Sequence, residues 1–439
     1  MSENRLIQGF SKLTSNEKRG LAARLTKDPQ ASLRIMASFF HPEQEVHKVL
    51  SSFSENTLTN YPLPYSVAPN FLINGRLYMV PMVIEESSVV AAASAAARFW
   101  ASRGGFRARV NGTEKTGQLH FRFTGDAGWL ENQMPRLDKE LRQRTVEMSA
   151  NMVKRGGGIT SLQLRPLPEA GADCYQLLVG FETADAMGAN FINSVLEEFA
   201  AGMRDFFDAH ADESGGAYET LMAILSNYTP GCTVSVEVSC PLEQLGVTGG
   251  LEAPEFARRF ERAVRIATED PYRATTHNKG IMNGVDAVVL ATGNDFRAVE
   301  AAAHAHACRS GQYRSLSRAS VEAGRFSFSL EMPLALGTLG GLTRLHPLAD
   351  LSLEILGRPG ARDLMMIAGA AGLANNFAAV RSLVTTGIQA GHMRMHLPNI
   401  LLQLGATPGE QEAALGWFRD KKTSHQAVSD YLKTLRNKT

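Results

Sequence analysis

The region from Gly117 to Gly231 constrains the fold most, because its hydrophobic pattern sets it apart from the sequence on either side. QLHFRF alternates like a strand, and a charged amphipathic helix is predicted from about Trp129 to Arg155, where three consecutive glycines stop it. Two more strands, ITSLQLR and YQLLVGFE, precede a helix that Asp185 is predicted to open. Strand–helix–strand–strand–helix is a compact α+β unit of about one hundred residues, which we predict to be inserted into a larger domain.

Length, charge and cysteine content set broad limits. A chain of 439 residues is too long for a single core. Its 45 basic and 44 acidic residues nearly cancel, so nothing indicates nucleic acid or a membrane surface as a partner. The four cysteines form no CxxC pair, which favours structural thiols in a reducing cytoplasm over disulfides or zinc. MSENRLIQGF carries charge without an apolar run, so we expect no secretory signal there, and the apolar runs are interrupted before the roughly 18 residues of a membrane helix.

The stretch from Asp270 to Asp295, DPYRATTHNKGIMNGVDAVVLATGND, combines polar side chains with three glycines. The polar groups interrupt both the helical and the strand period, so we expect loops that hold Lys279 and a carboxylate at the edge of a site. Two simpler explanations stay open here. Lys279 can be an ordinary surface lysine, and Asp295 can cap the helix that follows it.

Three shorter motifs are weak when taken alone. Glu86 precedes the predicted helix SSVVAAASAAARFW, where helix-dipole complementarity would explain an acidic residue. DAMGAN is an acidic residue followed by small ones, and it is not the GxGxxG fingerprint of a dinucleotide-binding strand–helix turn. In GHMRMH, His392 and His396 are chemically equal candidates for an acid.

In order and wording, these motifs together resemble the soluble bacterial class (class II) of 3-hydroxy-3-methylglutaryl-CoA (HMG-CoA) reductases. The matching segments are VIEESSVVAAAS, DAMGAN, the Asp270 to Asp295 stretch, GTLGG, AGLANNFAAV and GHM. The resemblance implies four catalytic residues: Glu86, Lys279, Asp295 and His392. It implies four substrate-binding residues: Ser88, Arg273, Asn283 and Asn376.

The resemblance also implies an architecture and partners. The large α/β substrate domain comprises residues 1–116 and 229–386, a ferredoxin-like α+β cofactor domain is inserted at 117–228, and a C-terminal helical flap covers 387–439. The ligands are HMG-CoA or mevalonate, coenzyme A and a nicotinamide cofactor, without a metal. A homodimer, or a higher oligomer built from dimers, with sites at the subunit interface is implied, as is a cytoplasmic location.

For the cofactor, the resemblance assigns six binding positions: Asp185, Met187, Gly188, Asn190, Ser149 and Asn151. NADH-using members carry an aspartate where this chain has Ser149, and Lys154 and Arg155 follow. Loss of a carboxylate removes the repulsion of a 2′-phosphate, so we expect NADPH to be favoured over NADH. The alternative is that these two basic residues only complement the end of a helix.

Two other functions stay open at this point. The chain can be a catalytically silent CoA-thioester-binding protein of the same fold, or a reductase of another acidic acyl-CoA. Retention of all four catalytic residues argues against the first. Arg273 favours an acidic acyl group in either enzyme.

Overall fold

The computed structural model describes residues 6–385, 397–418, 421 and 423–437. The strands in this part of the chain are β1 (Tyr65–Ile73), β2 (Arg76–Val83), β3 (Arg107–Val110), β4 (Lys115–Phe123), β5 (Gly158–Pro166), β6 (Cys174–Glu182), β7 (Tyr218–Ser226), β8 (Thr233–Pro241), β9 (Ser317–Glu322) and β10 (Arg325–Pro333). The helices are α1 (Ser15–Ala23), α2 (Pro29–Ser38), α3 (Gln44–Ser51), α4 (Ser87–Ala101), α5 (Ala127–Arg144), α6 (Val146–Val153), α7 (Ala189–Ala209), α8 (Ala211–Ser214), α9 (Leu242–Leu245), α10 (Ala253–Glu269), α11 (Pro271–Ala291), α12 (Phe296–Ala307), α13 (Leu342–Leu345), α14 (Pro347–Ile355), α15 (Ala361–Val384), α16 (397–403), α17 (Pro408–Trp417) and α18 (His425–Arg436).

A large apolar core lies between an antiparallel sheet and several helices. The sheet has the strand order β3-β8-β10-β9, and the inward side chains of β8 and β10 are fully buried with α15 in one cluster. By length and composition α15 could cross a membrane, contrary to the expectation from the sequence. However, 78% of its most apolar window is buried inside the protein, as in the core helix of a globular protein.

A second sheet has its own apolar cluster. Its order is β5-β6-β4-β7, and α5 and α7 contribute side chains to the cluster that covers it. With these two helices the chain order is β-α-β-β-α-β, so β7 completes the unit that the sequence predicted without its last strand. The predicted α+β class is confirmed, while the predicted domain boundaries stay a prediction.

Two local patterns in the sequence predict short-range structure, a hairpin turn at Asn74–Arg76 and a capping box at Thr14–Glu17, and both are confirmed. β1 and β2 pair antiparallel through a two-residue turn in which Asn74 and Gly75 have φ of 49° and 82°, as a tight hairpin requires. The Thr14 and Glu17 side chains form the predicted capping box at the start of α1.

Two helix predictions are wrong in detail. The single helix predicted over 129–155 is divided into α5 and α6 at Thr145, whose φ and ψ of −100° and 6° are not helical. Asp185 does not open α7. That helix begins after Gly188, whose φ of 85° suits a glycine, and the Asp185 carboxylate caps α15 instead by accepting from the Ala361 N–H at 2.7 Å.

The expectation of loops around Lys279 is also wrong, because these residues form the 21-residue helix α11. Asp270 caps it by accepting hydrogen bonds from the N–H groups of Tyr272 and Arg273, at 3.2 Å each. Pro271 occupies the first turn, where its missing N–H has no consequence. Polar side chains on the buried face of α11 obscured its helical period, since they bond to neighbouring elements.

Candidate active site

The side chains of Glu86 and Lys279 are in contact beside the segment that joins β2 to α4. Glu86 immediately precedes α4, yet its carboxylate forms no capping hydrogen bond with that helix. It accepts a short hydrogen bond from Ser88 Oγ, and its Oε2 lies 3.5 Å from Lys279 Nζ. The Lys279 side chain is 64% exposed, so the ammonium group is accessible to a ligand. The structure thus brings together three of the predicted residues: an acid, a hydroxyl and an ammonium group.

The opposite face of α11 is locked into the core by a buried polar network. His277 Nε2 lies 2.6 Å from Ser317 Oγ, Ser317 donates to Asn376 Oδ1 at 2.8 Å, and Asn376 Nδ2 donates to the His277 carbonyl at 3.2 Å. All three side chains are almost completely buried. These bonds use both the oxygen and the nitrogen of the Asn376 amide. The Asn376 side chain therefore holds α11 in place at His277, two residues before Lys279. The sequence indicated a ligand contact for Asn376 and missed Ser317.

Arg273 and Asn283 lie on either side of Lys279 along α11. Asn283 is four residues after Lys279 and therefore on the same face of the helix. Arg273 is half-buried and forms no ion pair within 4.0 Å in the described part of the chain. Burial lowers the pKa of its guanidinium, and burial together with the Arg273 charge lowers the pKa of His277 to about 3. The imidazole in the network is therefore neutral near pH 7.

Asp295 caps α12 and is paired locally. Its carboxylate accepts from the N–H groups of Arg297 and Ala298, and from Arg297 Nε at 3.0 Å. Burial alone would raise the pKa of Asp295, but Arg297 and the two backbone donors outweigh it and lower the pKa. Of the described ion pairs, Lys279 pairs with Glu86 and Asp295 with Arg297. The simpler explanation of Asp295 as a helix cap is thus correct within one chain, and its bridging function stays a prediction.

DAMGAN connects the two sheets. The Asp185 carbonyl accepts from the N–H groups of Thr338 and Leu339 in the GTLGG turn, at 2.8 and 3.2 Å. A Cβ at Gly337 would lie 2.4 Å from the backbone nitrogen of Met187, so only glycine allows this approach. Asn190 is exposed in the first turn of α7, next to this junction. Two motifs that are distant in sequence therefore form one continuous surface.

A groove of about 640 Å³ lies between α6 and the start of β5. Ser149 and Lys154 line it with the glycine triplet, whereas Asn151 is an exposed residue of α6 that is absent from its lining. Ser149 is buried, and its Oγ has no hydrogen-bond partner in the described part of the chain. A buried hydroxyl without a partner beside a cationic groove fits a polar ligand such as a nucleotide.

An unpredicted carboxyl pair joins α11 to α12. Burial is the main cause of a raised pKa at Asp286, and the charge of Glu300 and a hydrogen bond between the two groups add to it. Asp286 therefore keeps its proton near neutral pH. Asp286 is seven residues, or about two helical turns, after Lys279 on α11. The pair therefore lies near the candidate site along this helix.

The predicted His392 and its alternative His396 lie outside the described residues. Among residues that the structure does describe, no group of three or more His, Cys, Asp or Glu side chains could hold a metal ion.

Comparison with known proteins agrees with this geometry. The family model of hydroxymethylglutaryl-coenzyme A reductase matches residues 16–397. The chain belongs to this family. The 3-hydroxy-3-methylglutaryl-coenzyme A reductase of Archaeoglobus fulgidus is 34% identical over 433 residues, which are 98% of this chain and 95% of the relative.

Solved class II reductases have the same fold. A structure of the Streptococcus pneumoniae class II 3-hydroxy-3-methylglutaryl-CoA reductase bound to NADPH in open conformations superimposes with a TM-score of 0.72 at 34% identity, covering 93% of this chain and all of that one. A second structure of the S. pneumoniae reductase gives a TM-score of 0.73 and covers 99% of this chain and all of that one. The resemblance to class II HMG-CoA reductases is confirmed.

Proposed function

We propose that this protein reduces HMG-CoA to mevalonate and coenzyme A. Two nicotinamide cofactors each deliver one hydride, and two protons are consumed, so a thioester becomes a primary alcohol and CoA leaves as the thiol. The observation that carries the proposal is the Lys279 ammonium 3.5 Å from the Glu86 carboxylate, in a chain of this family.

Lys279 stabilises the oxygen of the reacting carbonyl. As hydride reaches the thioester carbon, negative charge develops on this oxygen, and a nearby ammonium group stabilises it. Glu86 is the proton source for the aldehyde oxygen in the second reduction, acting together with Lys279. Ser88 donates to Glu86 and so fixes the direction of that carboxyl group.

The other predicted residues complete the site in an assembled form. The half-buried Arg273 has no ion partner in the described chain, and its forked guanidinium suits the free carboxylate of the substrate. Asn283, on the Lys279 face of α11, is a second substrate contact, and His392 protonates the departing thiolate. Asp295 bridges Lys279 and Glu86 in a homodimer with sites at the subunit interface.

The cofactor is NADPH in preference to NADH. Ser149 stands where the resemblance places an aspartate in NADH-using members, and Lys154 lines the same groove. The Glu182 carboxylate also lines it, but accepts hydrogen bonds from the Thr113 hydroxyl and the Ala184 N–H. The nucleotide extends from there toward the junction of Asp185, Met187, Gly188 and Asn190, while Asn151 contributes from the surface of α6. No metal is required, and we place the enzyme in the cytoplasm.

A reductase of another acidic acyl-CoA is the second candidate. An arginine without an ion partner can bind any acyl group that ends in a carboxylate, so it does not distinguish acyl chains of different length. The test is a spectrophotometric assay of NADPH and NADH oxidation with HMG-CoA, repeated with glutaryl-CoA and acetyl-CoA. Oxidation with HMG-CoA alone supports the main proposal, and faster oxidation with glutaryl-CoA favours the second. No oxidation with any acyl-CoA would refute both.

Lys279→Ala provides the matched test of the site. The control is Lys139→Ala, which removes an exposed lysine from α5. Only the Lys279 variant should lose turnover.

A further inference from the structure

A second cavity lies on the outer face of the core sheet, and none of the predicted site residues lines it. It has a volume of about 480 Å³ and is formed by β3, β8, β10 and the start of β9, together with the end of α12. Four arginines line it, against two glutamates: Arg107, Arg109, Arg309, Arg318, Glu237 and Glu331. The whole chain carries a formal charge of only +1, so this cavity concentrates positive charge.

Three of the four guanidinium groups, those of Arg107, Arg109 and Arg318, are available for a ligand, whereas Arg309 donates to the His306 carbonyl at 2.8 Å. Arg107 lies directly opposite Glu237 in the strand register, yet these residues form no ion pair within 4.0 Å. Arg109 and Arg318 also have no ion pair in the described part of the chain. Arg122 on the other sheet differs from them, since this exposed arginine forms ion pairs across strands with both Asp173 and Glu219.

The strand register shows how the charges are spaced. One row of paired residues crosses the four strands in the order β3, β8, β10 and β9: Arg107, Glu237, Ser329 and Arg318. The two arginines at its ends are three strand spacings apart, roughly 14 Å between backbones, and their long side chains border the middle strands. Serine hydroxyls and the Glu237 carboxylate lie between them. The arrangement combines cationic groups at the sides with a hydrogen-bond acceptor at the centre.

We propose that this cavity binds a nucleoside phosphate. The arginine forks bind phosphate oxygens, and Glu237 accepts hydrogen bonds from the sugar hydroxyls. The volume is within the range of small-molecule sites. Neither Lys279 nor Ser149 lines the cavity, and the inward side of the same sheet packs in the core. The proposal is therefore independent of the proposed enzymatic function.

The test is calorimetric titration of the full-length protein with ADP in the absence of NADP⁺ and CoA, which as nucleotides would compete for the same cavity. The parent should bind at least one ADP per chain. The double variant Arg107→Ala, Arg318→Ala should weaken binding at least about tenfold, since charge-assisted hydrogen bonds are lost. Arg325→Ala removes an arginine from the same sheet outside the cavity, and should leave binding unchanged.

Glu237→Gln distinguishes a nucleoside phosphate from a simple anion. It should weaken ADP binding and leave the binding of inorganic pyrophosphate unchanged. Failure of the parent to bind ADP, equal losses in the double variant and Arg325→Ala, or pyrophosphate bound as tightly as ADP would each overturn the proposal. If the double variant does not fold in a thermal melt, Arg318→Gln replaces it. HMG-CoA turnover should be unchanged in every variant, so this result is separate from the test of the enzymatic proposal.

Discussion

Ser317→Ala tests whether the buried network positions Lys279, the proposed catalytic lysine. Ser317 is not itself a predicted ligand-binding residue, but its hydroxyl bonds to His277 and to Asn376, which is one, at 2.6 and 2.8 Å. Its removal leaves two buried polar groups without that partner, at about 1–3 kcal/mol each. The free energy of unfolding should therefore fall by about 2–5 kcal/mol, allowing for partial relaxation.

Turnover should fall as well, because α11 loses a constraint two residues before Lys279. Displacement of the ammonium group affects the transition state more than substrate binding, so kcat should fall more than KM rises. Urea denaturation gives the stability and steady-state kinetics with HMG-CoA give the two constants. The matched control is Ser320→Ala, a half-buried serine of the same strand, which should change neither quantity appreciably.

Two results would contradict this reasoning. If Ser317→Ala unfolds at the same urea concentration as the parent, the network does not stabilise the fold. If it loses stability but keeps the parent kcat, the network holds the core together without positioning Lys279.

Four further predictions concern the site itself. Lys279→Ala should lower turnover at least about 100-fold, the scale for losing one oxyanion donor, with a smaller effect on CoA-ester binding; near-normal turnover would exclude this role. His392→Gln should impair reduction of HMG-CoA but spare reduction of free mevaldehyde, which releases no thiolate; equal losses would indicate a structural role or favour His396. Ser149→Asp should shift the ratio of kcat/KM toward NADH by about ten- to thirtyfold, and an unchanged ratio would mean that the 2′-phosphate is bound elsewhere. Because the pKa of Asp286 is raised from 3.8 to about 8, the folded chain keeps a proton that the unfolded chain releases, so stability falls as pH rises across that interval. Asp286→Asn should therefore raise the Tm, relative to the parent, more at about pH 8 than at about pH 5, and an equal effect at both would contradict the raised pKa of Asp286.

Features that depend on neighbouring residues were predictable from the sequence. The Asn74–Gly75 hairpin and the Thr14 capping box formed as predicted, and the hydroxyl of Ser424 caps α18 by accepting from the Ala427 N–H. In each case the interacting groups are within a few residues of one another, so local preferences determine the outcome. The order of the motifs was likewise enough to recognise the family.

Features that depend on packing were not predictable. The polar residues of α11 suggested loops, because their partners in β9 and α15 cannot be seen in the local pattern. Asp185 looked like the cap of the next helix, but it caps α15, 176 residues away. In these cases the tertiary fold determines which group a polar side chain contacts.

The candidate site shows the same division. The sequence, through its family resemblance, predicted which residues carry the chemistry: an acid at 86, an ammonium group at 279 and a hydroxyl at 88. Only the tertiary structure decided that Glu86 and Lys279, 193 residues apart, meet at 3.5 Å. Their contact depends on α11 packing beside β2 and α4, and that packing follows from burial of the apolar core that all three share.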